Sequence, residues 1–258
     1  MSDDYLRPFL QQPDRSGIFL DFDGTLSEIV PVPSDARPME GVAGVLRALG
    51  RRYAVVAIVS GRFAPELVEW LGPEVEIWGV HGAQRASEGV VELAPLAQPY
   101  ESLMRKVHEE ATERVAALGL EGAIVEDKAV MVTLHYRAAA DPARAKAELE
   151  ALAGELAARD GLKCVPGRAS FELRPPVDFT KAAVVAERAE GLRAVAFAGD
   201  DTVDLPGFDA LDELAGRGVA TLRIAVRSDE APPELIDRAD VVVDGPRGAL
   251  ELLRRLVP

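Results

Sequence analysis

The stretch Ile18-Phe19-Leu20-Asp21-Phe22-Asp23-Gly24-Thr25-Leu26 decides how the chain is read. Its front is short and apolar, the pattern of a buried strand. Its back carries two acids one residue apart, then a glycine and a hydroxyl, the composition of a turn. The carboxylates of Asp21 and Asp23 therefore stand where a strand ends. In an open α/β sheet that end is where ligands bind. Acids, a hydroxyl and a glycine placed there suit a site that holds a cation and attacks an electrophile.

Outward from this stretch, short β-type runs alternate with helical patterns. Residues 17–20 read as a strand and 39–50 as a helix that stops at Gly50. Residues 54–59 are almost continuously apolar, as in a parallel strand buried on both faces. A short helix at 65–71 and a strand at 75–80 follow. The pattern then changes. Residues 99–118 and 141–159 read as amphipathic helices, each followed by a hairpin, at 123–136 and at 162–173. That order predicts an antiparallel sheet with helices on one face. Arg174-Pro175-Pro176 makes a stiff exit. The first pattern resumes with a helix from Thr180, strands at 195–198, 222–226 and 241–243, and a closing helix at 246–256. The reading is α/β: a doubly wound, Rossmann-like core at 1–96 and 177–258, interrupted by an inserted α+β domain at 97–176.

Composition excludes some classes. The chain has 258 residues, 48% hydrophobic and 28% charged, as in soluble globular proteins. A formal net charge of −14 repels nucleic acid and anionic membranes, so neither is expected as a partner. The single Cys164 has no intrachain partner and reads as a small buried apolar residue. The polar start of the chain lacks a signal-peptide pattern, and no apolar run approaches a membrane span. A cytoplasmic monomer is expected.

Four stations carry potential chemistry, each after a predicted strand or at a helix start. They are Asp21 with Asp23; Ser60-Gly61-Arg62; Lys181, behind a possible Thr180 cap; and Gly199-Asp200-Asp201 with Asp204. Any one alone is ordinary turn or cap chemistry. Together they crowd carboxylates at one sheet edge, where a divalent cation is needed to join them. An all-oxygen set favours a hard ion, with Mg²⁺ the first choice. Ser60, the Gly61 N–H, the following helix start and Lys181 offer the positive side of a phosphoryl clamp.

The set DFDGTL, SGR, a helix-start lysine and GDD resembles the haloacid dehalogenase superfamily of phosphotransferases. The resemblance spans nearly the whole chain, with the insert where that family places its C2B cap. It implies a Mg²⁺-dependent phosphatase. Asp21 would be the nucleophile and Asp23 the general acid and base. Thr25, Ser60, Gly61 and Lys181 would hold the phosphate. Asp21, Asp200 and the main-chain carbonyl of Asp23 would hold the metal, with Asp201 and Asp204 in direct or supporting positions.

Further strings resemble the trehalose-6-phosphate phosphatase branch: LDFDGTLSEIVPVP at 20–33, GVHGAQ at 79–84, VEDK at 125–128, LHYR at 134–137 and FELRPP at 171–176. The resemblance implies that Glu126, Lys128 and Glu172 hydrogen-bond sugar hydroxyls, with His81 and Gly82 lining the core side of the cleft. Arg62 either contacts substrate or braces its loop. His81 is either a cleft residue or a satisfied loop histidine. His135 alternates with apolar residues and reads as structural. The expected partner is a small sugar phosphate: trehalose 6-phosphate, or alternatively a sucrose, mannosylglycerate or hexose phosphate. A non-catalytic sugar-phosphate sensor is the remaining alternative. Gln84, Ala182 and Leu205 depart from the branch's usual Glu, Gly and Glu.

Overall fold

The computed structural model describes residues 3–30, 35–167, 169–228 and 231–257. The chain divides into two compact units, residues 1–92 with 179–258, and residues 93–178.

The first unit is built on β1 (Ser16–Leu20), wholly buried. β1 pairs in parallel with β2 (Val55–Val59) on one side and β10 (Ala194–Gly199) on the other. The sheet continues through β3 (Glu76–Gly79), β4 (Gln84–Ser87) and β5 (Val90–Leu93) beyond β2, and through β11 (Ala220–Arg227) and β12 (Val241–Asp244) beyond β10. Side chains alternate between its faces, as a pleated strand requires. Ile18, Leu20, Ile58, Ala196 and Ala198 join a core with Leu46, Leu49, Leu67 and Leu253. Those last residues come from α2 (Val42–Gly50), α3 (Ala64–Leu71) and α9 (Gly245–Arg254). Phe19, Val59, Val195 and Phe197 face the opposite way, onto α6 (Lys181–Arg188) and α7 (Leu205–Gly216). Phe197 meets Phe208 edge to face at 6.3 Å. Covering both faces is what makes the parallel strands continuously apolar.

The register brings the strand ends together. Leu20 lies opposite both Ala198 and Ile58. Asp21, Asp200 and Ser60 therefore leave neighbouring strands at one edge, where the strand order reverses direction about β1.

The second unit, residues 93–178, carries α4 (Glu101–Ala117) and α5 (Pro142–Asp160) on a four-stranded antiparallel sheet. Its order is β6 (Ile124–Asp127), β7 (Val132–His135), β9 (Ser170–Arg174), β8 (Lys163–Gly167). Met104, Val107, Ala111 and Val115 of α4 and Leu149, Leu152 and Leu156 of α5 bury against Val132, Leu134, Phe171 and Leu173. The Asp141 carboxylate caps α5 by accepting from the Arg144 N–H at 3.0 Å, and Gly161 ends it in the left-handed region.

Besides α7, two short strands and two short α-helices among the described residues lie outside the strand and helix pattern read from sequence. The polar-looking start contains α1 (Arg7–Gln11), whose neighbourhood buries Leu6 and Phe9. β4 and β5 extend the sheet after β3, with β4 antiparallel to it. α8 (Pro233–Arg238) fills the turn before β12. Each is short, so its periodicity is too brief to stand out from a loop.

Candidate active site

Asp21 continues β1 by one residue, its N–H donating to the Ala198 carbonyl at 2.9 Å. That hydrogen bond fixes its backbone and aims the carboxylate beyond the sheet edge. The chain then turns tightly, with the Leu26 N–H on the Phe22 carbonyl and the Gly24 N–H on the Ser27 carbonyl. Gly24 has φ +72, and a Cβ there would stand 1.9 Å from an Asp200 oxygen. Only glycine lets the two carboxylate-bearing turns approach this closely.

Lys181 starts α6, which Thr180 caps by accepting from the Ala183 N–H at 3.1 Å. Its Nζ donates to Asp21 Oδ1 and to Asp204 Oδ1, each at 2.5 Å, with all three side chains buried. Asp204 Oδ2 accepts the N–H groups of Asp200 at 3.0 Å and Asp201 at 3.1 Å. Asp204 thus ties the lysine to the turn that carries Asp200. Asp201 is spent differently: its Oδ1 accepts from the Thr202 N–H at 2.6 Å and from the Thr202 hydroxyl at 2.8 Å.

Charge in this cluster does not balance. Oxygens of Asp21, Asp200 and Asp204 lie within 4.8 Å of one another, against the one lysine that bridges two of them. Burial raises the Asp21 carboxyl well above its ordinary range; Lys181 opposes this, while Asp204 and Asp200 add to it. Burial, with the charges of Asp204 and Asp201, pushes Asp200 up to about 7. Burial works to lower Lys181, but Asp21 and Asp204 outweigh it and hold the amine protonated. A buried all-oxygen cluster with excess negative charge fits a hard divalent cation. The Thr25 hydroxyl is buried beside this turn with no hydrogen-bond partner, a donor in want of an acceptor.

The second station is laced to the third strand. Ser60, almost wholly buried, donates its N–H to the Trp78 carbonyl, and its carbonyl accepts from the His81 N–H at 2.9 Å. The Ser60 hydroxyl accepts from the Arg62 N–H at 3.2 Å. His81 and Val80 both lie in the left-handed region, at φ 57 and φ 50, a strained conformation for a β-branched valine. That kink lays the His81 ring over Gly61, where a Cβ would come within 2.9 Å of it. Gly82 follows at φ +109, against Val184 and the Thr180 carbonyl. Arg62 forks onto Asp23 with two hydrogen bonds of 2.7 Å, its guanidinium over the Phe22 and Trp70 rings. Gln84 faces the start of α3 and accepts the Ala64 N–H at 2.9 Å.

In the second unit, Glu126 lies opposite Thr133, and Thr133 opposite Glu172, so the three form one cross-strand row. Glu126 Oε2 receives His135 Nε2 at 2.8 Å and Lys128 Nζ at 3.5 Å. Glu172 Oε2 receives Arg174, including its Nε at 2.8 Å.

Sequence reading singled out Asp21, Asp23, Thr25, Ser60, Gly61, Arg62, His81, Gly82, Lys181, Asp200, Asp201 and Asp204 separately, and the first unit carries them all. It brings Asp21, Lys181, Asp200 and Asp204 together, and separately Asp23 with Arg62. It missed Gln84 as a helix cap and Arg174 as the partner of Glu172. His135, read there as structural, holds Glu126. Local sequence does not mark the Gln84–Ala64 and His135–Glu126 pairs, whose partners come from other elements, whereas Glu172 and Arg174 stand two apart on β9 and share a face by strand alternation alone. Within LDFDGTLSEIVPVP, residues 31–33 lie outside the described residues.

Comparison with known proteins agrees with this architecture. A family model described as trehalose-phosphatase matches residues 19–235. A trehalose-phosphate phosphatase of Mycobacterium marinum is 33% identical over 226 residues, covering 84% of this chain and 55% of its own. Its counterpart in Mycobacterium avium is 34% identical over 257 residues, covering 93% and 61%. The chain thus spans somewhat over half the length of these curated relatives. A crystal structure of a trehalose-6-phosphate phosphatase related protein superposes with a TM-score of 0.74 at 24% identity, over 93% of this chain and 96% of that one. That likeness is one of fold. On the match across most of its length, the chain belongs to the trehalose-phosphatase family.

Proposed function

We propose that the protein is a phosphatase that hydrolyses trehalose 6-phosphate to trehalose and phosphate, with Asp21 as nucleophile. The observation that carries the reaction is the Asp21–Lys181–Asp204 cluster at the sheet edge, beside Asp200. The family match and the two relatives' activity support the substrate.

The chemistry divides between neighbouring side chains. An Asp21 oxygen attacks phosphorus, and the bond from phosphorus to the sugar oxygen breaks as Asp23 gives that oxygen a proton. Trehalose leaves, and an acyl phosphate remains on Asp21. Water, losing a proton to Asp23, then attacks phosphorus, and the bond to Asp21 breaks to return its carboxylate and release phosphate. The Arg62 fork occupies both Asp23 oxygens, so it opens for Asp23 to carry a proton. Lys181 holds Asp21 against the sheet edge and offsets phosphoryl charge. The unpartnered Thr25 hydroxyl and the Ser60–Gly61 turn supply donors for phosphoryl oxygens. Asp21, Asp200 and the Asp23 main-chain carbonyl are the groups to hold Mg²⁺, with Asp204 bracing their loop. The bound cation draws charge from the phosphoryl oxygens and offsets repulsion between them and the carboxylates. In the second unit, Glu126, Lys128 and Glu172 read the sugar by charge-assisted hydrogen bonds to its hydroxyls.

Phosphate release from a panel of sugar phosphates with Mg²⁺ present tests this. Preference for trehalose 6-phosphate, lost in Asp21→Asn, is expected. Turnover without that preference removes the substrate assignment, and turnover surviving Asp21→Asn removes the mechanism.

A further inference from the structure

Residues directly opposed across antiparallel strands project to the same side, so the row Glu126–Thr133–Glu172 lies on one face of the second unit's sheet. Residues two apart along a strand also share a face, which puts His135 beside Thr133 on it. The intervening Leu134, with Val132, faces the helices and is fully buried. His135 thus lies off the helix-packed core, its side chain 36% exposed. It is opposed to Ile124, so Glu126 is its diagonal neighbour, within reach of a ring nitrogen. Nε2 makes that reach, 2.8 Å from Glu126 Oε2. Lys128 approaches the same oxygen at 3.5 Å. Both contacts fall on Oε2, and Oε1 takes part in neither. On the far end of the row, Arg174 holds Glu172 in a parallel way, also through Oε2.

We infer that His135 is a positioning residue: it pins Glu126 through Oε2 so that Oε1 is presented to a hydroxyl of the sugar phosphate. The inference rests on the sugar-reading role given above to Glu126. A glutamate free to rotate has to be ordered when substrate binds, at a cost in affinity. Histidine meets the need from a neighbouring strand, where its ring is held by the pleat. Lys128, on a long flexible stem, supplies charge but less orientation.

The test compares kcat/KM for trehalose 6-phosphate with kcat/KM for p-nitrophenyl phosphate, which has no sugar to read, in Mg²⁺. The ratio of the two is the readout. His135→Ala lowers the ratio roughly tenfold, through the KM of the sugar phosphate. His135→Gln, whose amide N–H can serve Oε2, restores it to within about threefold of the native ratio. In an Glu126→Ala background, His135→Ala lowers the ratio no further, since there is nothing left to position. If alanine loosens the sheet, seen as a shifted melting curve, His135→Phe keeps the ring volume without the donor and is read in the same way. Equal losses on both substrates, or a loss that adds to that of Glu126→Ala, overturn the inference and leave the proposed function standing. A ratio unmoved by Glu126→Ala itself overturns the sugar-reading role and this inference with it. A native enzyme with no preference for trehalose 6-phosphate overturns the proposed function before any variant is made.

Discussion

Lys181 and Asp204 are 23 residues apart in the chain and 2.5 Å apart in space, both almost wholly removed from water. A buried ion pair gains little over an apolar pair, yet losing one partner is expensive. Here the lysine also holds Asp21, so its removal strands a cluster of carboxylates.

Lys181→Met is therefore expected to lower unfolding free energy by about 3–5 kcal/mol. Added Mg²⁺ recovers part of the loss by occupying the same carboxylates. Chemical denaturation with and without Mg²⁺ measures both, and a variant as stable as the native protein would refute the electrostatic account.

Ion-free protein carries a distinctive pH dependence. Asp200 sits near 7 when folded, above its ordinary carboxylate value of 3.8, and Asp21 is raised as well. Between those values the folded state binds more protons than the unfolded one. Stability from these groups is thus fullest below about pH 4 and falls as pH rises to about 7. A divalent cation displaces the protons, so the Mg²⁺-induced gain in melting temperature grows across the same window. Melting curves in chelator and in Mg²⁺ over that range check the sign; a gain that shrinks toward neutral pH contradicts it.

Gly24→Ala places a methyl 1.9 Å from Asp200 at a φ of +72. The turn must shift, carrying Asp21 and Asp200 apart. A displacement of about 1 Å can cost on the order of a hundredfold in turnover. Steady-state kinetics with a Mg²⁺ titration should show kcat reduced and the half-saturating Mg²⁺ raised together.

Gln84 caps α3 from a separate strand. Gln84→Ala should cost about 1 kcal/mol, the usual worth of a helix cap. Gln84→Glu keeps the acceptor and adds a favourable charge at the helix start. Urea unfolding that ranks Glu no better than Ala would show the carbonyl is not the group that matters.

How much was legible differs by element. β1 and β2 announce themselves because strands buried on both faces are continuously apolar. α4 and α5 do so through long periodic faces. α1 and the β4–β5 extension are too short for a period, and only packing of Leu6 and Phe9 makes α1 worthwhile. At the site, Asp21, Asp23, Ser60, Lys181 and Asp200 were readable because each follows a strand or opens a helix. Their partners were not. The Arg62–Asp23 fork joins residues 39 apart, and the Lys181–Asp21 bridge joins residues 160 apart.

The sequence by itself determined which residues stand at strand ends, because hydrophobic runs set the strands and glycine and acids set the turns. It also determined that an acidic cluster needs a positive counterpart. The tertiary structure alone decided how that charge is shared. Parallel register brings Leu20 beside Ala198 and Ile58, and so Asp21 beside Asp200 and Ser60. It turns Asp201 to its own helix cap and gives Asp204 to Lys181. Likewise it takes His135 off the helix-packed face of its strand and sets it against Glu126. Alternation along a strand says that a residue faces one side or the other, but only the neighbouring strand's register says what it meets there.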